Sequence, residues 1–178
     1  MSQTTWVVDQ MHSEVQFKVK HLVISTVTGS FTSFSGQTIT EGDQFENAQV
    51  TFSIDVNSVF TGQKDRDDHL KNSDFFEADS FPQITFVSTS FTKVKGDLYK
   101  LTGNLTMKGV TREAEFEAEY GGTEKDMYGN TKVGFEVTGT VNRKEFGMAF
   151  NAVTETGGLA LGENIKVIAN VQLAKQAV

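Results

Sequence analysis

The feature that most constrains this chain is the alternation of apolar and polar residues over most of its length. The segment Val50-Thr51-Phe52-Ser53-Ile54-Asp55-Val56 is the clearest instance, with an apolar residue at every second position. Because a β-strand directs successive side chains to opposite faces, such a segment has one dry face and one wet face. The recurrence predicts an all-β protein whose strands form a single closed or sandwiched sheet.

Strand patterns recur along the chain, and glycine-containing turns separate several of them. The segments are residues 5–9, 14–22, 27–40, 48–56, 83–93, 97–108, 112–121, 131–142 and 164–174. Short turns at residues 95–97, 108–110 and 128–130 predict hairpins, and therefore an antiparallel, up-and-down strand order. Glycines inside strand patterns are expected to mark bends or bulges that let a barrel curl, at Gly29, Gly36, Gly103 and Gly139.

The segment 62–72 is dense in charge and shows no alternation, so it does not fit a strand. Apolar residues at Phe60 and Leu70 could anchor a short helix there, and acidic residues early with Lys71 late suit the helix dipole. A chain of 178 residues is long enough for one domain with a substantial core. We therefore expect residues 1–178 to form a single domain.

Composition limits the possible partners and compartments. A net charge of −7 and a pI near 5.0 predict repulsion of nucleic acid and of anionic membranes, unless charge is locally segregated. No run of residues is long and apolar enough to span a bilayer, and residues 1–5 lack a basic and an apolar region. The sequence therefore favours a cytoplasmic protein. A periplasmic protein whose signal has been replaced by a new Met would look the same.

The sequence contains no enzyme signature that we could identify. It has no cysteine, no Gly-x-Ser-x-Gly elbow, no glycine-rich phosphate loop and no His-Glu-x-x-His motif. We expect no catalytic residue, no metal and no cofactor. The histidines His12, His21 and His69 lack the close spacing of a local metal motif, so hydrogen-bonding or capping roles are favoured. Asp9 before His12-Ser13 is typical of a turn in which short polar side chains satisfy backbone groups.

Several sequence blocks, in order and over nearly the full chain, resemble the YceI-like, lipocalin-like family. They are Trp6-Val7-Val8-Asp9, His12-Ser13-Glu14-Val15-Gln16-Phe17, His21-Leu22, Val27-Thr28-Gly29-Ser30-Phe31, Arg66-Asp67-Asp68-His69-Leu70, Asp74-Phe75-Phe76, Phe81-Pro82-Gln83-Ile84-Thr85-Phe86, Gly103-Asn104-Leu105-Thr106-Met107-Lys108-Gly109-Val110-Thr111 and Asn142-Arg143-Lys144-Glu145-Phe146-Gly147. The resemblance implies an elongated antiparallel β-barrel with one short helix at about residues 62–72. It also implies a carrier or storage protein for a long-chain amphiphile, either a polyisoprenoid, in its phosphate or quinone form, or a fatty-acid derivative. Family members are often homodimers. Many also carry a signal peptide, which this sequence does not show.

Phenylalanine is unusually abundant, with 15 residues against 3 tyrosines and 1 tryptophan, which suits a wide apolar interior. The residues expected to face a lumen and contact an apolar tail are Phe17, Val19, Phe31, Phe52, Ile54, Phe86, Leu101, Leu105, Phe116 and Phe135. Alternation identifies a dry face but not a cavity, and for any single one of these residues it favours packing against the others in a filled core. In that alternative the protein is a closed barrel that acts through protein–protein association.

A polar head group would require cations or other hydrogen-bond donors at one end of the lumen. Arg66 and His69, with Lys71, lie in the charged segment and could bind a phosphate or carboxylate through charge-assisted hydrogen bonds. Arg143 in the Asn-Arg-x-x-Phe-Gly block is a further candidate. The alternatives are a solvated helix face, with Arg66 paired to its acidic neighbours, and a structural salt bridge between Arg143 and a turn.

Overall fold

The computed structural model describes residues 2–151 and 161–177, in which β-strands predominate. The strands are β1 (Gln3–Val8), β2 (Glu14–His21), β3 (Ser25–Phe31), β4 (Phe34–Glu41), β5 (Gln44–Asp55), β6 (Val59–Phe60), β7 (Gln83–Lys95), β8 (Leu98–Met107), β9 (Val110–Lys125), β10 (Thr131–Asn142) and β11 (Asn164–Lys175). Helix α1 spans Lys64–Leu70, and short 3-10 helices span Gln10–His12, Val56–Ser58 and Arg143–Phe146. None of the helices in these ranges is long and apolar enough to cross a membrane.

The strands pair antiparallel and close into a barrel. The order β1-β4-β5-β7-β8-β9-β10-β11 returns to its start because β11 also pairs with β1. Near its start β11 pairs with β2, and its last residues pair with β1, so β1 and β2 act as one long strand interrupted by the 3-10 turn. β3 and β4 likewise act as one long strand with a corner between them. β3 pairs with β2 and β6, whereas β4 pairs with β1 and β5. The result is a closed barrel of eight strand positions.

The predicted all-β barrel with one short helix is confirmed, and the ends of several elements differ from the prediction by one to four residues. The helix expected over residues 62–72 is shorter, and the segment 27–40 forms two strands, β3 and β4, instead of one. The break falls at Thr32 and Ser33, where the Thr32 N–H donates to the Ser58 carbonyl and the Ser33 carbonyl accepts from the Asp55 N–H. These bonds hold a corner at which the chain changes its strand partners.

Asp9 caps the turn between β1 and β2 and links it to β10. Its Oδ1 accepts from the Met11 N–H at 3.1 Å, and its Oδ2 lies 2.8 Å from His12 Nδ1 and 2.7 Å from Lys132 Nζ. The hydrogen bond from Lys132, followed by that from His12, lowers the pKa of Asp9 to about 2. The capping role predicted for Asp9 and the hydrogen-bonding role predicted for His12 are confirmed.

The depressed pKa of Asp9 predicts a specific dependence of stability on pH. The folded state favours the ionised carboxylate. Its contribution to the free energy of unfolding is therefore fully present above the unfolded pKa of 3.8 and is lost as the pH falls toward about 2. The shift corresponds to about 2 kcal/mol at neutral pH. We expect Asp9→Asn to lose about that much unfolding free energy at pH 7, as measured by urea denaturation. The difference from wild type should vanish near pH 2, and a difference that stayed constant over this range would contradict the assignment.

Candidate functional site

The barrel encloses a cavity of about 740 Å³. Pockets that bury most of a small ligand typically have volumes of about 300–1,000 Å³. An eight-stranded barrel is just wide enough either to be filled by its own side chains or to hold one ligand. Here the side chains leave a large part of the lumen unfilled, so the described barrel is not the closed, filled core of the alternative reading.

The cavity runs along most of the barrel and has a largely apolar wall. On β11 the inward residues from Ile165 to Leu173 all border it. That stretch covers about 26 Å along the strand, or about 20 Å along the barrel axis once the strand tilt is included. The charged or titratable side chains on the wall lie at one end of this path, at His21, Asp65, Arg66, His69 and Arg143.

Glycines widen the lumen by making room for phenylalanine rings within the wall. A Cβ atom on Gly29 would lie 2.2 Å from the Phe17 ring, and one on Gly139 would lie 2.3 Å from the Phe116 ring. Gly36 beside Phe52 and Gly103 beside Phe86 show the same close approach, at 2.6 Å each. Each ring therefore occupies the space of the missing side chain on the neighbouring strand. The predicted bulge is found opposite Gly103, at Ser88/Ser90, whereas the strand pairings of Gly29 and Gly36 show none, and a bend at these glycines stays a prediction.

Aromatic side chains seal the end of the barrel where β11 finishes. Phe135 is the centre of this cluster, with its ring centroid 5.0 Å from that of Phe45 and 5.9 Å from that of Phe91. Trp6 packs on Phe45 at 5.2 Å, and its Nε1 donates to Thr40 Oγ1 at 3.0 Å. These side chains are all buried, so within the described residues they close off the lumen at this end.

The opposite end is polar and open to solvent beside α1. Gln63 and Asp65 border the cavity and are exposed, and Arg66 is half-buried. Arg66 donates from Nε to Thr61 Oγ1 and from Nη2 to the Thr61 carbonyl, both at 2.7 Å. Its predicted pairing with acidic neighbours is wrong, because Thr61 takes that place and itself donates to Asp67. Among the described residues, no hydrogen bond occupies the Nη1 of Arg66.

His69 lies one helical turn from Arg66, at the same end of the lumen. Its Nε2 is 2.9 Å from Asp74 Oδ2. Its ring packs edge-on against Phe75 and Phe150, with centroids 5.0 and 4.9 Å apart. Asp74 and the two aromatic rings therefore fix the orientation of the imidazole at the cavity mouth.

Arg143 is buried, with 3% exposure, and it anchors the chain segments around the mouth. Nε donates to the Gly162 carbonyl at 2.8 Å, and Nη1 donates to the carbonyls of Met148 at 2.6 Å and Phe150 at 2.8 Å. The predicted salt bridge is wrong, since these partners are backbone carbonyls. Burial lowers the pKa of Arg143. Nη2 is buried without a partner among the described residues, and a buried donor normally has an acceptor.

The predicted site residues converge on one cavity. All ten residues predicted to contact a tail border it, as do Arg66, His69 and Arg143, whereas Lys71 does not. His69 and Arg143 are linked through Phe150, whose ring contacts the first and whose carbonyl accepts from the second. Contact of these residues with a ligand stays a prediction.

Other residues on the cavity wall were not predicted as contacts. The inward residues of β11 and Val137 of β10 show the same alternation, but the prediction covers only one or two residues on most strands. Phe75, Phe76, Met148 and Phe150 lie outside the strands and carry no periodic signal. The residues concerned include Val137, Ile165, Val167, Ala169, Val171, Phe75, Phe76, Met148 and Phe150.

Two valines on the inner face of β10 give a direct test of the unfilled lumen. Val133 is packed at the sealed end with 1% exposure, whereas Val137 borders the cavity. We expect Val133→Ala to cost about 2 kcal/mol of unfolding free energy, because it creates a new void in a close-packed region. In protein stripped of lipid, Val137→Ala should cost less than about 1 kcal/mol, because its side chain already faces open space. Equal losses in urea denaturation would mean that the lumen collapses in solution.

Comparison with known proteins places the chain among barrels of one type. Residues 6–173 match the family described as the YceI-like domain. A UPF0312 protein of Staphylococcus aureus (strain USA300) is 40% identical over 174 residues, covering 96% of this chain and 98% of that protein. The crystal structure of a YceI protein of Campylobacter jejuni has a TM-score of 0.77 and 32% identity, covering 89% of this chain and 90% of that one. A polyisoprenoid binding domain from Saccharophagus degradans shares the fold, with a TM-score of 0.72 and 15% identity over 96% of this chain and 98% of that one.

Proposed function

This chain belongs to the YceI-like family, and we propose that it binds a long-chain amphiphile with the apolar tail inside the barrel. The cavity carries the proposal, because it is long, largely apolar, sealed at one end and polar at the other. Each methylene moved from water into such a site contributes about 0.8 kcal/mol. A linear tail is the ligand that best uses a narrow apolar space of this length.

A polyisoprenoid, as its phosphate or quinone form, is the first ligand class that we propose. The domain from Saccharophagus degradans is described as polyisoprenoid-binding, and it suggests this class for testing here. A fatty-acid derivative is the second class, since an acyl chain has the same need for an apolar tunnel. We propose binding for carriage or storage and not catalysis, because the wall along most of the cavity offers methyl and phenyl groups.

The head group is proposed to lie between Arg66, His69 and Arg143. The buried Nη2 of Arg143 supports this placement, because a ligand oxygen would satisfy a donor that the described residues leave unpaired. A phosphate would gain charge-assisted hydrogen bonds, which are shorter and stronger than neutral ones. A quinone carbonyl would accept the same hydrogen bonds, but they would be weaker because the carbonyl is uncharged. A phosphate should therefore bind more tightly than a quinone with the same tail.

Native mass spectrometry of protein purified from its own host tests the proposal. We expect a stoichiometric adduct that extracts into organic solvent, from which tail length and head group can be identified together. Extracted protein should regain the adduct when an isoprenoid phosphate or a fatty acid is added. Protein that remains at its apo mass in every preparation, and after both additions, would overturn the proposal and favour the protein–protein alternative.

A further inference from the structure

The hairpin between β2 and β3 has an apolar tip. Leu22, Val23 and Ile24 are consecutive, with 42%, 75% and 86% of their surface exposed. Leu22 and Val23 have φ angles of 55° and 67°, in the left-handed region that a β-branched residue rarely adopts. Glycine, asparagine or aspartate is the usual choice for such a turn. Local folding therefore does not explain why this tip presents three apolar side chains to solvent.

The tip lies at the mouth of the cavity. His21 just before it and Val27 just after it border the cavity, and so does Val19, which pairs with Val27 across the hairpin. The next inward pair is Phe17 and Gly29, where the ring covers the glycine. Apolar inward residues therefore run from Val19 and Val27 into the lumen, and the pair His21 and Ser25 lies between them and the exposed tip.

Lysines gather on the outer wall below the tip. Lys18 and Lys20 lie on β2, and Lys166 of β11 is directly opposite Lys18 in the strand register. Like charges at opposed positions are unfavourable in a sheet. Within residues 2–151 and 161–177, none of the three lysines has an ion pair, and the nearby Glu163 pairs with Lys144 at 2.8 Å. A chain with a net charge of −7 thus keeps Lys18 and Lys20 beside its apolar tip, together with Lys166, whose outer groove also contains Glu115 and Glu117.

We propose that this tip docks the barrel onto a phospholipid bilayer. Leu22, Val23 and Ile24 enter the boundary between head groups and acyl chains, and the three lysines lie against lipid phosphates. Apolar side chains flanked by cations are the combination that interfacial membrane binding requires. A convex tip of three residues is far smaller than the roughly 800 Å² per partner of a stable protein interface. Docking in this orientation places the mouth of the lumen against the lipid, so an apolar tail passes between them without crossing water.

Vesicle co-sedimentation of the full chain tests the apolar tip. The vesicles contain phosphatidylcholine alone or mixed with phosphatidylglycerol, and they contain no isoprenoid. We expect wild type to bind the mixed vesicles and Val23→Ser/Ile24→Ser to lower the partition coefficient about tenfold or more. The matched control is Met127→Ser/Tyr128→Ser, which removes side chains of 87% and 82% exposure from the β9–β10 hairpin at the sealed end. The control should bind as wild type does.

The charge cluster is tested separately. Near an anionic surface each lysine contributes about 1 kcal/mol, so Lys18→Gln/Lys20→Gln should weaken binding to the mixed vesicles roughly 30-fold. Binding to phosphatidylcholine alone should change little. Added salt should weaken wild type more than this variant, because the variant carries fewer charges to screen.

Three results would overturn the docking proposal. One is a wild-type protein that sediments with neither kind of vesicle. Another is an equal loss of binding in the tip variant and in the control at the sealed end. The third is a protein that does not bind vesicles but dimerises in analytical ultracentrifugation and becomes monomeric in the tip variant, which would assign the tip to an interface between copies. Because the vesicles contain no isoprenoid, none of these results bears on whether the lumen binds a ligand. That question is decided by the mass-spectrometric test.

Discussion

Ala169→Phe is expected to lower the affinity for a long-chain isoprenoid phosphate about 100-fold. Ala169 borders the cavity midway along β11, between Val137 of β10 and Val15 of β2. A phenyl ring there blocks the path to the sealed end. Excluding four methylenes from the deep half of the cavity loses about 3 kcal/mol, which is about 100-fold in the dissociation constant. Titration of extracted protein with a fluorescent isoprenoid phosphate measures this loss.

The control for that variant is Ile168→Phe on the outer face of the same strand. It adds the same ring one residue away and leaves the lumen unchanged, so it should bind as wild type does. Both variants should unfold at a thermal midpoint close to that of wild type, because Ala169 borders the cavity and Ile168 lies on the outer face of the strand. Retention of a stoichiometric ligand by Ala169→Phe would show that the tail does not occupy the inner half of the barrel.

Arg143→Met is expected to lower the free energy of unfolding by about 3 kcal/mol. The variant fills similar space but leaves the carbonyls of Met148, Phe150 and Gly162 without their donor. Each unpaired buried carbonyl costs about 1–3 kcal/mol, and removal of a buried charge offsets part of that total. Urea denaturation measures the loss.

Two further arginine variants separate the bridging role of Arg143 from its charge. Arg143→Lys keeps the charge but cannot reach all three carbonyls from one point, so it should lose nearly as much stability. Arg112→Met is the surface control, because Arg112 bonds one exposed carbonyl at 3.3 Å, and it should cost less than about 1 kcal/mol. A stability of Arg143→Met close to that of wild type would mean that the three carbonyls find other donors.

The barrel itself was predictable because the information for it is local. Alternation such as that of Val15, Phe17 and Val19 identifies a strand and its dry face without knowledge of its neighbours. The corner at Thr32 and Ser33 was not predictable, since the bonds that hold it come from Asp55 and Ser58, more than twenty residues away. The two-residue strand β6 is likewise too short to show a period of its own.

The residues of the candidate site were predictable from the sequence, but the unfilled cavity between them was not. Whether Phe17 and Phe116 fill the lumen depends on which residue the register places beside each ring, and that residue is a glycine in both cases. The position of Arg143 in the Asn-Arg-x-x-Phe-Gly block favoured a salt bridge. Its carbonyl partners are set by the path of the chain after β10, and no charge pattern in the sequence encodes that path.

The aromatic cluster around Phe135 imposes a direction on whatever the lumen holds. A dead-end tunnel admits a chain molecule only from its free tip, so the last carbons to enter are those next to the head group. A tail longer than the roughly 20 Å of tunnel leaves its surplus outside or folds back. If the proposed ligand binds in this way, its head group therefore stays at the mouth of the cavity, where it is accessible while the tail is still bound.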